Sequence, residues 1–190
     1  MKSTACIVAG LMLFAVFAAA QAPSAGQKAG LATSLQRTYQ TLKGNLTQAA
    51  EKMPEVNYGF KPAPASDIRT YGQLIGHQAD NQFTNCATIK GVPNPSPAQS
   101  NEKKTTKADL IKGLTDAFAF CDGAISALTD QSALQLIKQG EGETARGAVV
   151  AALLAHGVES NGIATLYLRA KGIAPPSAAP AAGRGGRGGQ

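Results

Sequence analysis

Histidine is the scarcest useful residue in this chain: only His77 and His156 occur in 190 residues. A phosphate-cradling Gly-rich loop, a Ser-centred nucleophile turn and a Cys-x-x-Cys pair are all missing, so nucleotide hydrolysis, serine hydrolase chemistry and dithiol exchange have no local signature here. Charge is thin as well. The 18 basic side chains face 12 acidic ones, and Lys2, Arg184 and Arg187 lie toward the ends, which leaves about +3 on the central body. A nucleic-acid surface is normally more basic and more patterned, so no nucleic-acid partner is expected. Strand-like alternation and internal repeats are also absent.

One long apolar run exists, and it comes first. "MKSTACIVAGLMLFAVFAAAQ" has a single lysine, an apolar stretch from Ala5 to Ala20 and an Ala-x-Ala ending, the build of a secretory signal peptide over residues 1–20. The stretch is shorter than the ~20 residues a spanning helix needs, so no stable membrane span is expected after processing. The chain is therefore expected to be secreted or periplasmic. Residues 21–27 then form a flexible lead-in. At the other end, 177–190 ("SAAPAAGRGGRGGQ") is a low-complexity tail expected to be disordered. Export leaves Cys86 and Cys121 as an even pair in a compartment where disulfides persist, against the alternative of two buried free thiols.

Residues 28–176 carry helical periodicity. Leu31, Leu35, Tyr39, Leu42, Leu46, Ala49 and Met53 recur in steps of three and four, ending before Pro54. A second helix is expected from Asp67 to Lys90 with Ser66 as its N-cap, and a third along Leu110, Leu114, Ala117, Phe118, Cys121, Ile125 and Leu128. Cys86 and Cys121 both fall on apolar stripes, so a bridge forms if their Cα atoms come within about 4.4–6.8 Å. The stretch 130–143 holds a helical turn at most, and Thr144 is the expected cap of a last helix running to Lys171, closed by Gly172. Between helices two and three lie sixteen residues, "GVPNPSPAQSNEKKTT". That exceeds the roughly 2–8 residues of an ordinary helix connection and can carry the chain to the far end of the molecule. The expected fold is all-α, a four-helix bundle with a long crossover between helices 2 and 3.

His156 projects onto the centre of a stripe made by Val149, Leu153, Ile163 and Tyr167, with Ser160 one turn further on the same line. His77 projects away from the centre of its helix's stripe, nearer Leu74 and Asn81. Each is followed three residues later by an acid, Asp80 and Glu159, which a helix places on the same side. Two readings stay open for each ring: metal ligand, or an ordinary polar group satisfied by a neighbour.

"LLAHGVESNGIATLYLRAKGIAPP" resembles the signature of the DinB-like family, in which a helix reads roughly His-x-x-x-His-Arg-Gly-Gln, followed by Tyr-Leu-Arg, Gly and Pro-Pro. "YGQLIGHQADNQFTNC" is similar to that family's second-helix segment. The likeness runs from about Leu31 to Pro176. It implies a four-helix bundle in which three histidines hold a divalent metal such as zinc or nickel, and in some members thiol transfer or isomerisation. By position the ligands fall on His77, His156 and Ser160, with Asn161 and Ile163 replacing the family's Arg and Gln. A serine hydroxyl is a poor ligand for zinc or nickel, so the implied site is weakened unless Glu159, Asp80 or water substitutes. The expectation is a divalent-metal-dependent enzyme of transferase or hydrolase type acting on an unnamed small molecule. The alternative is a non-catalytic bundle that binds a small ligand or partner without metal. A homodimer is left open.

Overall fold

The computed structural model describes residues 28–97 and 99–178. The leader, the 21–27 lead-in and the tail beyond residue 178 lie outside the described residues. Four long helices form the body: α1 (Leu31–Lys52), α2 (Tyr71–Lys90), α3 (Lys107–Ser126) and α5 (Arg146–Ala170), with a one-turn helix α4 (Asp130–Ala133) and a hairpin, β1 (Leu136–Gln139) and β2 (Gly142–Ala145), before α5.

Contacts between named residues fix the directions. Gln36 at the start of α1 hydrogen-bonds the carbonyls of Ile125, Ser126 and Leu128 at the end of α3, while Lys107 at the start of α3 reaches the carbonyls of Glu51 and Met53, so these two helices are antiparallel. Tyr71 and His77 of α2 meet Tyr167 and His156 of α5 in reverse order, so this pair is antiparallel as well. Helices α2 and α3 are parallel: a Cβ on Gly72 would touch Leu110, and Cys86 is bonded to Cys121 with Cα atoms 5.4 Å apart. A parallel pair needs the chain to cross the full length of the bundle, which is the work of residues 91–106.

The core is built from the expected stripes. Tyr39, Leu42, Leu46, Leu114, Phe118, Leu153 and Tyr167 are all buried. Helix α5 is long and apolar enough, by length and composition alone, to cross a membrane. Its Val149, Val150, Leu153 and Leu154 are buried in the bundle. It packs closely on α1 because Gly157 has no side chain: a Cβ there would collide with Leu42.

Four boundaries differ from the sequence expectation. Helix α2 begins at Tyr71, and its cap is Thr70, whose hydroxyl accepts from Gln73 N (3.1 Å) while the Gln73 side chain accepts from Thr70 N (2.8 Å). This reciprocal Thr-x-x-Gln box satisfies two free helix donors, whereas a cap at Ser66 would satisfy one at most. The preceding segment supplies the other acceptors, with Phe60 O and Tyr58 O receiving the amides of Tyr71 and Gly72. Residues 136–145 form a hairpin rather than irregular chain, turning at Gly140, whose φ is +60°. Thr144 is consumed in that hairpin, so α5 starts at Arg146 after Ala145. Finally, Pro176–Ala178 form a 3-10 turn packed near α1, so ordered chain extends past Pro176.

Candidate functional site

The sequence "QLIGHQAD" places His77 in the second turn of α2, on its flank rather than its core line, as its projection predicts. Helix α5 runs alongside, and the two rings meet across the seam. His77 Nε2 and His156 Nε2 are 3.1 Å apart, with ring centroids separated by 5.1 Å and planes inclined at 72°. Both rings are partly open to solvent, with side chains 26% and 33% exposed.

For His156 this corrects the sequence reading. Helix α5 is apolar on nearly every side, so its projection has no sharp centre. The deeply buried face turns toward α1 through Gly157, which leaves Ile163 38% exposed and His156 at the edge facing α2. Ser160, one turn on, is buried at 3% exposure.

Each imidazole has a carboxylate near its other nitrogen. Glu102 Oε2 is 3.3 Å from His77 Nδ1, and Glu159 Oε2 is 3.8 Å from His156 Nδ1. Glu102 comes from the crossover and was not legible as a site residue. Its other oxygen takes Arg69 Nε at 2.8 Å, and the Arg69 carbonyl accepts from the Tyr167 hydroxyl at 2.6 Å. A carboxylate beside His77 Nδ1 favours the proton there and turns the His77 Nε2 lone pair toward His156. Glu159 is too far from His156 Nδ1 for a hydrogen bond, so the His156 ring is free either to donate Nε2–H to that lone pair across the 3.1 Å contact or to turn a second lone pair toward a shared cation.

The crossover is fastened where Glu102 is needed. Asp80 accepts from Asn101 N (3.1 Å), Asn101 Nδ2 (2.7 Å) and Glu102 N (3.0 Å). Lys104 Nζ donates to Asn101 Oδ1 at 2.7 Å, and Asn101 is only 3% exposed. Gly76 makes room: a Cβ there would run into the backbone of Asn101 and Glu102. Asp80 is therefore committed to the loop and does not join the imidazoles, in contrast to its expected place as a substitute ligand. Glu159 does stay beside His156.

Burial foremost lowers the pKa of His156, the adjacent His77 ring pushes it the same way, Glu159 opposes this, and Arg69 adds a smaller push downward. A ring held neutral near pH 7 keeps its lone pair available to a metal. The donor set suits a borderline ion such as zinc or nickel. Two ligands bound to one tetrahedral zinc at 2.0–2.1 Å lie about 3.3 Å apart, close to the 3.1 Å between these nitrogens. The fit is incomplete at the third position, because Ser160 offers only a hydroxyl and no group of three His, Cys, Asp or Glu side chains converges among the described residues.

No functionally curated protein matches the chain in sequence. Solved structures that share its fold include a DinB-like protein from Bacillus cereus (13% identity, TM-score 0.62, covering 75% of this chain and 93% of that one), a conserved protein from Enterococcus faecalis (12%, TM-score 0.58, 75% and 97%), and a DinB-like protein from Bacillus subtilis (17%, TM-score 0.57, 73% and 92%). At such identities the likeness speaks for the fold alone. The sequence pattern of the DinB superfamily itself matches residues 38–159, a span that includes both histidines, Glu102 and most of all four long helices, so the chain belongs to the DinB superfamily.

Proposed function

We propose that His77 and His156 form a two-imidazole seat for one divalent metal, and that the protein is a weakly metallated enzyme of transferase or hydrolase type acting on a small molecule. The observation that carries this reading is the 3.1 Å approach of two Nε2 atoms whose Nδ1 partners both face carboxylates. When bound, the ion would supply Lewis-acid polarisation of a substrate oxygen or sulfur. The chain's own part is to orient the rings: Glu102 fixes His77, and the Asp80–Asn101 clamp fixes Glu102. Two protein ligands leave several coordination positions for a small molecule, and they also imply weaker metal retention than three would.

Ser160 favours the second reading, a bundle that binds a small ligand without metal. Elemental analysis of protein purified without chelators separates the two. Metal near one equivalent in the parent chain, lost in His156→Ala, supports the enzyme, and no metal in either supports the binder. We also propose that the chain works outside the cytoplasm. The bonded Cys86–Cys121 pair supports this, since such bridges persist in oxidising compartments.

A further inference from the structure

Glu102 engages a different group on each of its two oxygens. His77 Nδ1 lies 3.3 Å from Oε2 and Arg69 Nε 2.8 Å from Oε1. One carboxylate therefore keeps a guanidinium as the immediate neighbour of the imidazole pair. Arg69 is fixed at its root, since its carbonyl is bonded to Tyr167 and the next residue, Thr70, caps α2. Its side chain is nevertheless 42% exposed, and among the described residues only its Nε is hydrogen-bonded, which leaves the two terminal nitrogens as a planar fork.

We infer that Arg69 recognises an anionic group, a carboxylate or phosphate, on the small molecule that reaches His77 and His156. The inference rests on the seat proposed above and names the chemical class of its ligand. Charge arithmetic supports it. A divalent ion and Arg69 bring three positive charges against the two negatives of Glu102 and Glu159, and one anionic group on the incoming molecule restores balance. The fork matches carboxylate and phosphate oxygens in a bidentate fashion that lysine cannot reproduce. The plain alternative is an exposed ion pair with Glu102, an interaction that contributes little.

The test compares two probes on the same protein by calorimetry. Imidazole-4-acetate offers a metal-binding ring and a carboxylate, whereas 4-methylimidazole offers the ring alone. Inorganic phosphate is a third arm that separates phosphate from carboxylate recognition. The zinc-loaded parent chain is expected to prefer an anionic probe by roughly tenfold or more, as a charge-assisted hydrogen bond provides. Arg69→Gln should erase that preference and Arg69→Lys should keep only part of it, both with unchanged melting and with zinc affinity within about threefold of the parent. A preference that survives Arg69→Gln, or none in the parent, overturns the inference. The same titrations on metal-free protein keep the two proposals apart. An Arg69-dependent anionic preference without any zinc binding leaves this inference standing and removes the metal seat, and zinc binding without the preference does the reverse.

Discussion

Reducing the Cys86–Cys121 bridge should cost this protein a large part of its stability. The two residues are 35 apart in sequence, and the closed loop contains the whole crossover. In the chain-entropy treatment, cross-linking a loop of that length removes about 12–13 cal/mol/K from the unfolded ensemble, or about 3.8 kcal/mol at 25 °C. The Cα separation of 5.4 Å lies within the ordinary range for a bridge, so the native state absorbs it without backbone movement. For a bundle of this size each kcal/mol is worth about 2–4 °C, so the melting temperature should drop by roughly 8–15 °C. Differential scanning calorimetry with and without reductant reads this directly, with Cys86→Ala/Cys121→Ala as the control that cannot re-form the bond. The double variant should melt at or somewhat below the reduced parent, because it also loses two buried sulfur atoms. A shift below about 3 °C on full reduction, checked by thiol titration, would refute the reasoning and leave the crossover held by its hydrogen bonds alone.

Other perturbations follow from single contacts. Gly76→Ala pushes a methyl group into the backbone of Asn101 and Glu102, and should destabilise by about 1–3 kcal/mol while detaching Glu102 from His77. Zinc affinity should then drop by roughly tenfold to a hundredfold, the usual cost of losing a carboxylate behind a ligating imidazole, and Glu102→Gln should show the affinity loss with little change in melting. Gln78 is fully buried with neither amide atom hydrogen-bonded among the described residues. Gln78→Met removes that burden at similar volume and should raise stability by about 1–3 kcal/mol in urea titrations; a loss of stability would mean that an ordered water or ligand satisfies the amide. Ser160→His offers a third imidazole one turn beyond His156, and should tighten zinc binding at least about tenfold by competition with a chelating dye.

Much of the architecture was legible because it rests on periodicity. The stripes of α1 and α3 are clean in sequence, and the length of the 91–106 segment announced the parallel placement of α2 and α3. The hairpin before α5 escaped notice because four-residue strands are too short for alternation to stand out, and Ile137 alone of β1 packs on the core. Ser66 is a lone capping candidate, whereas the reciprocal Thr70–Gln73 box satisfies two donors, and that difference moves the start of α2 to Tyr71. The imidazole pair was implied by the family likeness, whereas helix projection alone left both rings open. Its neighbours were less so. Glu102 sits in a polar loop rich in Lys, Asn and Ser, and nothing local marks it. Only the three-dimensional clamp of Asp80, Asn101 and Gly76 brings it to His77, and that same clamp removes Asp80 from the list of ligands.

The central claim is that two imidazoles share one ion. A crystal soaked in zinc, with data collected on both sides of the zinc absorption edge, tests it most directly. The account predicts one strong anomalous peak about 2.0–2.1 Å from both Nε2 atoms, with Glu102 still on His77 Nδ1. Rings that stay hydrogen-bonded to each other, with no peak between them or with zinc bound elsewhere, would contradict it.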